Sequence, residues 1–585
     1  MLHLLPALAL VPALAAPRQG ALDLVPEDAF VVLHVDSVAG LHDALAKSAY
    51  WQFFAGERGV LRESGMLADL QDGAPFDLES ALALFGSTEL DEAERDALPA
   101  EAVLGFEFVR GFRGSLTVFA AGSPSRPTFG LVMEPGGPVD EFTQRLESLF
   151  DRPPIWRERS GVMVATETDG DLAAQRAYVV KGADYVLFLG ASDAATAFGE
   201  LDRATGLLLG GEGPSIDDNP RWVEAAAATA GVGQCRFFLD LETIVGALPT
   251  DEFAASDFDA RALLSDLGVS RMRWLGARMH VGDGETASFD VEVGLPDDCV
   301  LAKVVGLGAG GVPLRFLSRF DEGCASATAA RFDVSRFFDL AVDVAGRYAP
   351  AEVDAFEQQL AQLPAMLGFD PIDGLVRQLT GEFAVCRMPL DPSTNGEPDA
   401  AALMGGDTTF VCGVRDGRKF DDSLWGLLRF FENSTDQSLP IERESVAGQD
   451  LARLELPVGN LYFGVGNDAF ALGFDAKRTA RALALTSGGR RSPMDDQAFA
   501  RAFEQSANAL VVQVTRTGPA TASAFAGFRT LGTLPVAGGA SNSPFASSLA
   551  RLADFSERAR TAFTGVASSV IERTPRGVRF HVGAR

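Results

Sequence analysis

Apolar and polar positions along the 585-residue chain switch between strand and helix spacing in an order that occurs twice. Residues 128–150, TFGLVMEPGGPVDEFTQRLESLF, open as a short strand, pass through a glycine turn and continue at helical spacing. Val139, Phe142, Leu146, Leu149 and Phe150 share one face of the predicted helix. Residues 409–431, TFVCGVRDGRKFDDSLWGLLRFF, repeat the pattern with Phe420, Leu424, Leu427, Leu428 and Phe431.

The segments that follow also correspond. Residues 156–167 are echoed by 441–456, and 178–201 by 461–483. The latter pair predicts β-hairpins turning at Gly182 and Gly466, where a positive φ is cheap for glycine. Each hairpin then feeds a helix capped by Asp193 or Asp475. Residues 215–241 and 492–514 predict a capped helix running into a strand, with Asp217-Asp218 and Asp495-Asp496 as capping acids that also oppose the helix dipole. The openings, 29–45 and 326–342, correspond more weakly as strand, aspartate cap and helix. Positions 409 and 128 lie 281 apart, and 461 and 178 lie 283 apart, so the spacing is kept along the chain. The pattern predicts an α+β fold made of two tandem copies of one unit, 21–298 and 321–585, joined by a Gly-rich junction at 299–320. Each copy is expected to be an antiparallel twisted sheet with helices packed on one face.

Residues 1–16, MLHLLPALALVPALAA, are apolar apart from His3 and too short to span a bilayer. Small residues at Ala13 and Ala15 mark a secretory signal peptide with cleavage near Ala15/Ala16, although its start has no Lys or Arg. The mature chain is therefore expected to be periplasmic or secreted, with no membrane span.

Composition narrows the partners. A net charge of −30 argues against nucleic acid and against docking on anionic lipid. The 42 Phe stand against 5 Trp and 5 Tyr, which predicts large dry cores or, more sharply, an apolar ligand cavity. Cys235, Cys299, Cys324, Cys386 and Cys412 form no Cys-x-x-Cys pair and read as small buried hydrophobes, with Cys386 and Cys412 in predicted strands that could face each other. His34, His42, His280 and His581 have no metal-ligand spacing. Gly306 to Gly311 formally satisfy G-x-G-x-x-G but read as a turn at the junction of the copies. No Gly-x-Ser-x-Gly elbow marks serine chemistry. No catalytic, cofactor-binding or metal residue stands out, and no cofactor is implied.

The segment LVPEDAFVVLHVDSVAGLHDAL, 24–45, resembles the Leu/Val-Pro-x-Asp strand-helix opening of a family of exported bacterial proteins of unknown function. That resemblance implies export and brings no site residues with it. The expected function is a non-catalytic exported binding or envelope-associated protein. Its partner is expected to be an apolar small molecule or lipid, or another envelope protein, with the cleft between two similar lobes the default place for a ligand. An exported hydrolase with a carboxylate site assembled by the fold is the alternative, and a structural or assembly factor of the envelope a third reading.

Overall fold

In a computed structural model of the chain, the described residues are 20–584 apart from 57–58, 66–111, 148–153, 167, 210–212, 232, 248–259, 309, 390–406, 436–439, 457–458, 485–490, 505–508 and 534–550. The signal peptide read at 1–16 lies outside them. The chain divides into two compact units. The first comprises Met1–Asp43, Leu90–Leu248 and Arg273–His280; the second comprises Ala44–Glu89, Pro249–Met272 and Val281–Arg585.

Strands of the first unit are β1 (Ala29–Val35), β2 (Leu116–Ser123), β3 (Arg126–Met133), β4 (Ile155–Arg159), β5 (Val162–Thr166), β6 (Ala177–Lys181), β7 (Val186–Ala191), β8 (Cys235–Leu239) and β9 (Leu275–Val281). They pair antiparallel in the order β9-β8-β1-β2-β3-β7-β6-β5-β4. Strands of the second unit are β10 (Ala287–Gly294), β11 (Ser326–Arg331), β12 (Leu379–Arg387), β13 (Thr408–Val414), β14 (Ile441–Val446), β15 (Gln449–Leu456), β16 (Gly459–Val465), β17 (Ala469–Gly473), β18 (Val511–Arg516), β19 (Val566–Thr574) and β20 (Gly577–Ala584). Their antiparallel order is β10-β20-β19-β18-β11-β12-β13-β17-β16-β15-β14. From β19 to β14 this ladder runs in the same order as the first unit's from β9 to β4. The α+β class is thus met in both units.

Helices of the first unit lie against both faces of its sheet rather than one. Successive residues of a strand point to opposite faces, and both faces of β3 and β7 are apolar. Val132 and Leu187 pack with Ala197 and Leu201 of the Ala194–Leu208 helix. Their neighbours Met133 and Val186 pack with Val139 and Phe142 of the Val139–Glu147 helix. Burying a Leu such as Leu201, which is fully inaccessible, contributes roughly 1.5–3 kcal/mol. Leu149 and Phe150 of the predicted helical face lie outside the described residues. In the second unit the Gly417–Thr435 helix sets Phe420 5.7 Å from Phe470 and Trp425 6.2 Å from Phe463.

The caps show how local sequence sets the element starts. Asp193 accepts from the Thr196 N–H at 2.9 Å, and Asp475 from the Arg478 N–H at 2.8 Å. The paired acids are offset by one between the units. Asp218 and Asp495 accept from Ser215 and Ser492, while the helix caps are Asn219 in one unit and Asp496 in the other. Asp36 caps nothing: Ser37 Oγ accepts from the Gly40 N–H at 3.0 Å, and Asp36 turns to His34. Gly182 and Gly466 do not adopt positive φ. Their surroundings are tight instead, since a Cβ would press on the flexible end of Leu208 at 2.8 Å from Cδ2 and sit 3.2 Å from the Leu483 carbonyl oxygen.

Candidate functional site

Register assembles an uncharged surface on the first unit's sheet. Directly opposed residues share a face, and the ladder opposes Val118 to Leu131, Leu131 to Phe188, Phe188 to Val179 and Val179 to Ala165. One row therefore crosses β2, β3, β7, β6 and β5, and Trp156 of β4 stands opposite Ala165 at its end. A second row runs Ala120, Phe129, Gly190, Ala177. These rows belong to the face on which the Val139–Glu147 helix packs, beyond the ground that Val139 and Phe142 cover. There the face forms a groove of about 890 Å³.

Among the described residues, none that lines the groove carries a charge. Phe129 is 57% exposed and Val118 40%. Gly190 and Ala177 leave the floor between Phe129 and β6 open; a Cβ on Gly190 would find its nearest neighbour, the Arg176 carbonyl oxygen, at 3.8 Å. Trp156 is fixed by donating from Nε1 to Glu147 at 2.7 Å. Tyr178, which also lines the groove, donates to the Leu172 and Gln175 carbonyls, and burial raises its pKa above the ordinary phenol value. What its described lining offers a ligand is apolar contact, without a charged side chain.

A second concavity, of about 600 Å³, lies within the second unit over β19, β20 and β10. Its lining is polar, with Asp290, Arg501, Ser568, Glu572, Arg579 and His581 among it. Beside it, buried Glu292 accepts from Arg579 Nε at 2.9 Å and from the Thr574 hydroxyl at 2.7 Å.

The histidines part company. Buried His34 bonds through Nδ1 to the Thr117 hydroxyl at 2.8 Å and approaches Asp36 through Nε2 at 3.1 Å. Burial lowers its pKa, against the opposing pull of Asp36. His42 is buried beside Asp43 at 3.6 Å. His581 bonds Asp290 at 2.6 Å and lines the polar concavity. Among the described residues no cluster of His, Cys, Asp and Glu is arranged to hold a metal.

All five cysteines are buried and free. Cys386 and Cys412 do not face each other, because the register opposes Cys386 to Thr409 and Cys412 to Phe383. The Gly306–Gly311 run follows a helix, Val300–Gly306, rather than a strand, and the next helix is the four-residue Leu314–Leu317. A dinucleotide turn needs a strand before it and a full helix N-terminus after it, so this run is not one. No described helix is long and apolar enough to cross a membrane.

No family model matches the chain, and no curated protein does. Three crystal forms of TP0453 are similar among solved structures. Form III has 10% identity and a TM-score of 0.26, over 50% of this chain and 89% of that one. Form IV has 11% identity and a TM-score of 0.25, over 47% and 79%. Form I has 10% identity and a TM-score of 0.24, over 51% and 89%. Likeness at that level carries no argument about this chain's fold or activity.

Proposed function

We propose that the protein is exported and that its first unit is a non-catalytic binding module, taking an apolar, chain-like small molecule along the sheet groove. The observation that carries this reading is the uncharged row Val118, Leu131, Phe188, Val179, Ala165. Five adjacent strands at about 4.8 Å spacing make the row roughly 19 Å long, which suits an extended aliphatic chain better than a compact polar ligand. The volume falls within the range of small-molecule sites. Export is supported by the leader sequence of residues 1–16, and tandem duplication by the shared strand order of the two ladders.

Titration of the full chain with a fluorescent polyene fatty acid tests the reading. Saturable binding is expected, displaced by an unlabelled long-chain alcohol. Gly190→Phe, which places a ring on the groove floor where a Cβ meets nothing closer than 3.8 Å, should abolish binding while leaving the fold intact. Equal binding by the wild type and a folded Gly190→Phe chain would overturn the assignment.

A further inference from the structure

The polar concavity of the second unit contains an ordered set of groups that the groove reading does not use. His581 sits in β20 directly between Asp290 of β10 and Val570 of β19. Its Nδ1 lies 2.6 Å from Asp290 Oδ1, and the Asp290 side chain is only 12% exposed. A carboxylate only accepts, so Nδ1 carries the proton, and in the neutral ring Nε2 presents a lone pair. Nε2 makes no hydrogen bond to protein among the described residues.

The ring leans along β20 toward Gly583, where a Cβ would stand 3.0 Å from Nε2. Glycine at 583 thus leaves the space that the imidazole edge uses. Directly across from Gly583 on β19 is Ser568, and opposed Cβ positions in antiparallel strands are about 4.5–5.5 Å apart. Ser568 and His581 thus share one face of the sheet and line one concavity, and contacts between a nucleophile and its base commonly tighten only when a ligand binds. Arg501, on the Gln497–Glu504 helix, lines the same concavity and has no ion-pair partner among the described residues. Arg579, by contrast, is held by Glu292 and Glu572.

We propose that Ser568, His581 and Asp290 form a nucleophile, base and positioning group that hydrolyse small neutral esters. Ser568 Oγ attacks the ester carbonyl carbon as its proton passes to His581 Nε2, and Arg501 stabilises the oxyanion. Collapse breaks the carbon–oxygen bond to the leaving alkoxide, which takes the proton from Nε2 and departs as alcohol. Water then attacks the acyl-serine, gives one proton to Nε2, and releases the carboxylic acid as that proton returns to Ser568 Oγ. Asp290 acts through His581, fixing its tautomer and ring plane.

A fluorophosphonate probe on the full-length chain, followed by peptide mass spectrometry, tests this assignment separately from the groove. One adduct is expected, on Ser568, with loss of fluoride. Ser568→Ala should remove it, and His581→Gln should slow labelling at least about tenfold, the low end of what a general base contributes. Asp290→Asn should slow it as well, with Asp290→Glu restoring most of the rate, a rescue that a purely structural role does not predict. No adduct on the wild type, an adduct at another residue, or wild-type labelling in folded His581→Gln would each overturn the proposal. The adduct position on the wild type decides the case even where a substituted chain fails to fold.

Discussion

Phe129→Ala separates the groove's binding role from its part in folding. Phe129 is 57% exposed. Taking a Phe side chain as roughly 200 Å², about 110 Å² of it remains for a ligand to cover. At about 25 cal/mol per Å², full coverage contributes close to 2.8 kcal/mol to binding. At 1.4 kcal/mol per tenfold in affinity, its removal weakens an aliphatic ligand by roughly a hundredfold. The buried remainder, about 90 Å², contributes at most about 2 kcal/mol to folding, so the variant stays folded at room temperature. Fluorescence titration with the polyene fatty acid gives the affinity, and circular dichroism confirms the fold. A folded Phe129→Ala chain that binds within twofold of the wild type would refute the assignment of the ligand to this face.

Three further outcomes follow from the packing and the charges. Leu201→Ala empties a fully buried position of the first unit and should cost about 2–5 kcal/mol in urea unfolding; a loss under 1 kcal/mol would contradict the packing. Asp495 and Asp496 have pKa values below the ordinary aspartate value. For Asp495 the backbone N–H and hydroxyl of Ser492 favour the charge; for Asp496 burial opposes it, but Arg516 and the Phe499 and Ala498 N–H groups outweigh burial. Folded values below the unfolded value of about 3.9 mean that their stabilisation is present above that pH and is lost as pH falls through the folded values. Asp496→Asn should therefore flatten the acid limb of the urea midpoint against pH, and an unchanged limb would refute the linkage. Burial pushes the Cys412 thiol up to about 12, whereas a hydrogen bond with Cys386 and the nearby Arg516 lower Cys324 despite its burial. Timed alkylation at pH 8 during partial unfolding should modify Cys324 before Cys412, and the reverse order would contradict these environments.

Much of the element order is legible in the sequence because it is written locally. The caps Asp193 and Asp475 announce their helices, and the strand-turn-helix pattern at 128–150 folds as read through the described residues. Where one position carries two signals, local reading slips by a residue. Asn219 rather than Asp218 caps its helix, and Ser37 rather than Asp36. Glycine is equally ambiguous, since a turn residue with positive φ and one in merely tight surroundings look alike, and Gly182 and Gly466 have no positive φ. The placement of helices on both sheet faces could not be read, because apolar neighbours such as Val132 and Met133 do not say which side each helix takes.

Both concavities depend on register across distant strands. Val118, Leu131, Phe188 and Val179 come from four strands, and no local motif marks them as one row. His581 and Asp290 are 291 residues apart, so their pairing leaves no spacing to detect. The Phe-rich composition pointed toward an apolar cavity without placing it, and the absence of a serine elbow says nothing about a serine on a flat strand.

Photolabelling tests the central claim most directly. A long-chain alcohol carrying a diazirine near its middle is irradiated with the full chain, and the modified peptides are mapped. Insertion is expected in β2–β3 and β6–β7, around Val118, Leu131, Val179 and Phe188, and should vanish with Gly190→Phe. Labelling spread evenly over the chain, or concentrated away from these strands, would contradict a groove built to hold an aliphatic chain.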